Sequence, residues 1–313
     1  MEARPDAKDP AKEDWSHRLE QFYAAIGTVT ADAPTYLTTV SMSVLDAYRK
    51  IIALKDALEH TKRKALTPYK PDSWEQLLVQ FNLLVKYPKL PSLICHGFNV
   101  GIRKIYYTFT PPNSSSTSSL EEAYQQEVAK EFKCSRYIGP FTSQEVEEII
   151  GPFQSSPLSL VPKPGKPGRF QAVHNFYFPH HSNEKLSSIN HTIDSCIYPC
   201  TWGTFPTVCY TIYNLPPGSQ VSVQDMAKAY RTIPVHPDQW PGLVVRLQQE
   251  DTFAINTNNN FGLSSAGGIY GEVGDAAADI FWAYGIGPLS KWVDDHIFFC
   301  IPHQHLGSYN KKQ

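Results

Sequence analysis

Two adjacent carboxylates, Asp294 and Asp295, lie between apolar, β-prone runs in the stretch Lys291-Trp-Val-Asp-Asp-His-Ile-Phe-Phe299. Flanks of this kind predict a hairpin with the Asp-Asp pair in its turn. Adjacent carboxylates repel, so beside low-dielectric strands they raise each other's pKa unless a divalent cation neutralises them. A metal site is the functional reading; taken alone, the motif is more simply an Asp-containing β-turn. A third carboxylate shifts that balance. The run Val221-Ser-Val-Gln-Asp-Met-Ala-Lys-Ala-Tyr-Arg231 predicts Asp225 at the end of an apolar strand, just before a short helical turn. Three acids on neighbouring strand ends suit two Mg²⁺ or Mn²⁺ ions. Two hard cations about 3.5 to 4 Å apart activate a 3′ hydroxyl and stabilise a leaving pyrophosphate, which is the chemistry of nucleotidyl transfer. In-line displacement at phosphorus needs positioning and charge neutralisation rather than a covalent nucleophile.

Other constellations are weaker. Asp294, Asp295 and His296 with His303 and His305 are the donor types of a zinc or manganese hydrolase. On a strand, however, His296 points opposite to Asp295, and His303 and His305 lie near the chain end. Asp275 and Asp279, spaced i, i+4, line the polar face of one predicted helix. There is no GxSxG elbow, no GxxxxGK[ST] loop and no HExxH. The six cysteines include no CxxC pair, so neither a zinc knuckle nor a disulfide scaffold is indicated.

The elements that must position the acids follow from composition and pattern. The chain has 313 residues, 42% hydrophobic and 19% charged, enough to bury a sizeable core and too apolar for a disordered chain. Its net charge of -2 gives no global signal for a polyanion partner, so any nucleic-acid surface is local. The 25 prolines predict short elements and many turns. No apolar run reaches the ~18 residues of a bilayer span, and Met1 to Ala11 lacks the apolar block of a secretory signal. The expectation is a soluble, intracellular protein, cytoplasmic or nuclear, with no membrane partner.

Residues 1–35 read as a loosely ordered arm with one amphipathic piece around Trp15 to Ile26. Residues 36–110 read as a basic, mostly helical region of unknown role, with helices over Val40 to Leu66 and from Ser73 as N-cap to about Val85. Thr110 to Ser119 is a polar low-complexity loop, followed by an acidic helix over Leu120 to Phe132. Thr142-Ser-Gln-Glu145 is a capping box opening a helix to Ile150. Strands are expected at Leu158 to Val161 and Arg169 to His174, a hairpin with a basic Gly/Pro tip, and at Gln220 to Gln224, Leu243 to Leu247, Thr252 to Ile255, Leu289 to Val293 and Ile297 to Ile301. An Ala/Gly-rich helix fills Ser264 to Tyr284. The order is α+β.

In chain order these motifs resemble the reverse transcriptases of retroelements, and among them the type of fungal retrotransposons. SLVPKPGKPGRFQAVHNFYFP (159–179) is similar to the two fingers strands, and SVQDMAKAY (222–230) to the first catalytic palm motif. FGLSSAGGIYG (261–271) is similar to the palm-helix motif, and WVDD (292–295) to the xxDD signature. The resemblance implies fingers and palm over 120–313, an antiparallel sheet with packed helices, and an RNA-directed DNA polymerase acting by two-metal transfer. It implies Asp225 and Asp294 as metal ligands, Asp295 beside them and the Met226 carbonyl completing one site. Tyr230 takes the place under the sugar, where a bulky ring excludes a 2′ hydroxyl. Lys163 and Arg169 contact the triphosphate, and Gly262 lets the nucleotide approach the backbone, as do the small residues from Ser264 to Gly268. The implied partners are an RNA or DNA template with primer, and dNTP.

Two departures bear on activity. Gln171 stands where the family carries arginine, and a neutral amide does not replace a guanidinium on a triphosphate. Arg169, two residues earlier on the same strand face, offers partial compensation. Phe261 stands where many relatives have glutamine. The resemblance stops after the xxDD motif, so the expectation is a truncated chain without a thumb, poor in phosphate contacts for processive synthesis. The alternative is a catalytically inert retroelement remnant that at most binds nucleic acid.

Overall fold

The structure, a computed structural model, describes residues 67–181, 186–247 and 251–310. The predicted arm (1–35) and the helix expected over 40–66 lie outside the described residues. Helices α1 (Pro71–Gln80) and α2 (Leu90–His96) each carry proline in the first turn, where its missing N–H is no loss. α1 therefore begins before the expected cap Ser73, and Asn82, at φ 57°, turns the chain away before Val85. Trp74, Leu78, Leu90 and Ile94 are fully buried and start the main core.

The Ser/Thr-rich stretch expected as loop contains α3 (Ser115–Ser119), capped by the Ser114 side chain. Asn113 anchors this stretch: its Nδ2 donates to the Arg246 carbonyl at 2.8 Å, and its Oδ1 accepts from the Leu158 N–H at 3.0 Å. The acidic helix is α4 (Glu121–Lys133). After β1 (Tyr137–Phe141), helix α5 (Ser143–Ile150) opens on the expected capping box, with Thr142 and Glu145 satisfying each other's backbone N–H. Strands β2 (Leu158–Pro162) and β3 (Phe170–His174) form the predicted hairpin. Gly165 and Gly168 take positive φ at its tip, and the Lys163 N–H donates to the Arg169 carbonyl at 2.8 Å.

Next come α6 (Ile189–Thr192), α7 (Phe205–Asn214), β4 (Gln220–Asp225), α8 (Ala229–Thr232), β5 (Val244–Arg246), β6 (Phe253–Asn256), α9 (Ala266–Ala283), β7 (Leu289–Trp292), β8 (Asp295–Cys300) and α10 (His303–Asn310). Two three-stranded sheets, ordered β1-β6-β5 and β4-β8-β7, join the β2-β3 hairpin, and every pairing of these strands is antiparallel. The chain is thus α+β, mixing helices with antiparallel sheets. No helix among the described residues is long and apolar enough to cross a membrane.

Helix α9 supports the β4-β8-β7 sheet from behind. Phe281 meets Phe298 edge-on at 5.2 Å and His296 at 6.1 Å. Its small residues serve close packing. A Cβ on Gly268 would lie 2.2 Å from the Tyr198 carbonyl oxygen, one on Gly267 would press on Cys200 and Trp202, and Ser265 is buried and donates to the Val100 carbonyl at 2.8 Å. Close packing against residues 198–202 is thus one reason for small residues at Gly267 and Gly268. Asp275 and Asp279 are both engaged: Asp275 accepts from the buried Lys291 Nζ at 2.5 Å, and Asp279 from Lys86 and Tyr87, each at 2.6 Å.

Candidate active site at the strand ends

The sheet brings the three aspartates to one place. β4 and β8 pair in a register that sets Asp225 directly opposite Asp295. β7 and β8 close with Trp292 opposite Asp295, so the two-residue loop is Val293-Asp294. The expected Asp-Asp turn is thereby shifted by one residue: Asp294 occupies the loop, and Asp295 begins the strand. The Met226 N–H donates to the Asp294 carbonyl at 3.0 Å, stapling the end of β4 to the turn.

Val293 takes φ 53°. Two-residue hairpin loops need positive φ at their first position to match strand twist, and glycine normally supplies it. A β-branched residue there is strained, at a cost of about 1–2 kcal/mol. Val293→Gly removes that strain but adds chain entropy to the unfolded state, so a net gain of ~0.5–1 kcal/mol is expected, visible as a rise in the midpoint of urea unfolding. An unchanged or lower midpoint would show the valine side chain to be worth its strain.

The electrostatics favour a cation. Burial, together with the charges of Asp225 and Asp295, pushes the Asp294 carboxyl above its usual range, while a backbone hydrogen bond pulls the other way. Among the described residues no lysine, arginine or histidine pairs with any of the three aspartates. Nor does any group of three His, Cys, Asp or Glu side chains among them form a ready metal cage. The three carboxylates have no cationic partner among the described residues, and a divalent cation held by them would need further oxygen donors, such as the Met226 carbonyl, to complete its shell.

Tyr230 lies beside this turn. Burial raises its hydroxyl pKa, with the charge of Asp294 adding to the effect. Its ring packs at 4.7 Å on Phe261 and at 5.7 Å on Tyr270, so Phe261, half-exposed, covers the tyrosine where a glutamine was the expected residue. Gly262 has φ 98°, and a Cβ there would sit 3.2 Å from the His174 carbonyl, so this position is confined to glycine by backbone and neighbour alike.

A cavity of about 460 Å³ opens between the hairpin, α4, α8 and residues 260–262, lined by Lys163, Gln171, His174, Lys228, Asn260 and Gly262 among others. Lys163 and Gly262 therefore share one cavity. Arg169 is exposed and outside its lining. One wall is a polar clamp that the sequence did not reveal. Glu131 accepts from Arg136 at 2.6 and 2.9 Å and from Arg231 Nη2 at 2.7 Å, while Arg231 also reaches Asn256, Asn258, Asn259 and Asn260. Burial would raise the Glu131 carboxyl, but the two guanidiniums outweigh it and bring it down to about 2.

His174, at the end of β3, contributes an acid sensitivity. Burial, and then the charge of Arg231, lower its pKa to about 3 from an unfolded value of 6.5. The fold holds it neutral, so its contribution is complete above pH 6.5 and is lost as pH falls from there toward 3. By pH 5 a single such histidine costs ~1–2 kcal/mol, and His174→Gln is expected to lose that much less stability than the parent between pH 7 and pH 5 in urea titrations. Equal losses in the two proteins would place the acid sensitivity elsewhere.

No known protein family and no curated protein matches the sequence. Among solved structures the chain is similar to the native protease-reverse transcriptase of prototype foamy virus, at 16% identity and a TM-score of 0.46, over 89% of this chain and 32% of that one. It is similar to the foamy viral protease-reverse transcriptase dRH in complex with double-stranded DNA, at 16% identity and a TM-score of 0.41, over 90% of this chain and 42% of that one. It is also similar to the foamy viral protein in complex with an RNA/DNA hybrid, at 17% identity and a TM-score of 0.40, over 90% of this chain and 32% of that one. The chain spans about a third of the length of the native foamy virus chain.

Proposed function

We propose that this chain is the fingers and palm of a reverse-transcriptase-like polymerase, extending a primer 3′ hydroxyl with dNTP on an RNA or DNA template. The observation that carries the reading is the register of Asp225 against Asp295, with Asp294 held on a strained loop that the Met226 N–H ties to the end of β4. Strain concentrated at a carboxylate turn is the pattern of a functional site. Asp225, Asp294 and Asp295, with the Met226 carbonyl, would hold Mg²⁺ or Mn²⁺. Such cations, when bound, lower the pKa of a 3′ hydroxyl and neutralise charge on the departing pyrophosphate.

The remaining roles belong to the chain's own groups. Lys163 meets the phosphates from the hairpin side, with Arg169 outside the cavity as a second, more distant cation. Tyr230 walls off the sugar edge, backed by Phe261 and Tyr270, and a rigid ring there excludes a 2′ hydroxyl sterically. Gly262 keeps the cavity floor free of side chain.

Divalent-cation binding tests this reading without requiring turnover. Titration of Mn²⁺ into the wild-type chain and into Asp294→Asn, with dNTP present to supply phosphate donors, is expected to give saturable binding that weakens at least tenfold in the variant. Identical isotherms would remove the metal from the aspartate turn and with it the polymerase reading.

A further inference from the structure

The hairpin that carries Asp294 is weakly specified by its strands and its turn. In β8 the run Ile297-Phe298-Phe299 is apolar on both faces, and Phe298 and Phe299 are both buried, so the hydrophobic pattern does not choose which face lies against α9. The loop is no better guide. Positive φ is confined to its first residue, Val293, a position for which glycine is the preferred residue. Yet the site depends on this register, which sets Asp294 in the loop and Asp295 opposite Asp225.

One residue of the hairpin does discriminate. Lys291 is a buried lysine on β7, three positions before Asp294. Its ammonium donates to the Gly271 carbonyl at 3.0 Å and pairs with Asp275 at 2.5 Å, both on α9. Asp275 also accepts from Thr201, and the Gly203 N–H donates to the Lys291 carbonyl at 2.7 Å, so side chain and backbone of Lys291 are both anchored outside the sheet. Helix α9 is notched to admit the lysine: a Cβ on Gly274 would lie 2.9 Å from Lys291 Cδ, although glycine within a helix is destabilising. A one-residue slip of β7 would carry the ammonium to the opposite face of the sheet, away from both acceptors. A buried ion pair adds little net stability, but a stranded buried charge is strongly destabilising, so the pair penalises the wrong register.

We propose that Lys291, tied to Gly271 and Asp275 of α9, is a positioning residue: it pins the register of the β7-β8 hairpin and thereby sets Asp294 in the loop and Asp295 opposite Asp225. The register role rests on strand geometry alone; its consequence for a divalent cation rests on the polymerase reading above.

Lys291→Met tests it, because methionine keeps an extended side chain and leaves Asp275, 31% exposed, in contact with water and Thr201. Amide hydrogen exchange reads the register without metal or turnover. The Met226 N–H donates to the Asp294 carbonyl at 3.0 Å and the Phe299 N–H to the Pro288 carbonyl at 2.9 Å, while the Val235 N–H, outside this sheet, donates to the Thr257 carbonyl at 2.8 Å. In Lys291→Met the protection of Met226 and Phe299 is expected to fall roughly tenfold while Val235 keeps its own. Mn²⁺ binding in the presence of dNTP is expected to weaken by about the same factor. Val293→Gly added to Lys291→Met should restore both, because glycine at the first loop position specifies the turn directly. Unchanged protection at Met226 and Phe299, an equal loss at Val235, or no recovery with Val293→Gly overturns the proposal. So does lost protection with unchanged Mn²⁺ affinity in a chain whose parent binds Mn²⁺. The predicted exchange pattern in a chain whose parent binds no Mn²⁺ would leave the pin assigned and sink the metal reading.

Discussion

Asp225→Asn is expected to cut single-nucleotide incorporation by roughly 10²- to 10³-fold or more, with a melting temperature equal to or slightly above that of the parent. Two consequences of one geometry give the prediction. Asp225 lies opposite Asp295 and raises the pKa of Asp294, so an amide in its place relieves repulsion while keeping the shape of the side chain. It also removes a charged ligand from the pair of strand ends on which the proposed chemistry depends. Most substitutions that lower activity also lower stability, so the opposed signs are diagnostic. A variant that keeps more than about a tenth of the parent rate would move catalysis away from these carboxylates. One that loses rate and stability together would make Asp225 a structural residue.

The largest stability effect is expected at Glu131. Its side chain is 17% exposed and bridges Arg136, 12% exposed, and Arg231, 8% exposed. Glu131→Ala leaves two nearly buried guanidiniums without their counter-charge, a situation that costs about 3–5 kcal/mol. The lower end is appropriate here, because Arg231 keeps its carbonyl and amide acceptors on Asn256 to Asn260. The pH dependence follows from the lowered carboxyl: the clamp's contribution is complete above pH 4.5 and is lost as pH falls toward 2. Chemical denaturation of parent and variant at pH 7 and at pH 3 checks both statements, with the difference between the two proteins shrinking at the lower pH. A gap below 1 kcal/mol at pH 7 would mean that the two arginines find solvent when the glutamate is gone.

The parts of the site that the sequence made legible are those encoded locally. Asp225, Asp294 and Asp295 stand out because each is an acid beside an apolar, β-prone run. The Thr142 and Glu145 capping box is likewise local, and it forms as its spacing predicts. What was missed depends on geometry across the chain. Which residues occupy a two-residue loop is decided by strand register, and nothing in the residue types announces that Val293 will take the position glycine favours. The Gly267 and Gly268 pair is ambiguous in sequence, since close approach by a ligand and close approach by the chain itself call for the same residue. Helix α7 was not expected although its signals are local, with Thr204 as cap, Pro206 in the first turn and Phe205, Val208, Cys209 and Ile212 at helical spacing; none of its side chains is buried. β1 was hidden by Gly139 and Pro140, which are poor strand residues. The cavity is assembled from α4, the hairpin, the start of α8 and residues 260–262, so Lys228 and Asn260 could be placed in it only by the fold.

Primer extension by one nucleotide is the most direct measurement of the central claim. The full chain would be given a DNA primer annealed to an RNA template, the complementary dNTP, and Mg²⁺ or Mn²⁺, with Asp294→Asn run in parallel. The account predicts a product one nucleotide longer, made only from the complementary deoxynucleotide and absent with the variant. No extension by a folded chain with either metal, or equal extension by the Asp294→Asn variant, would contradict it.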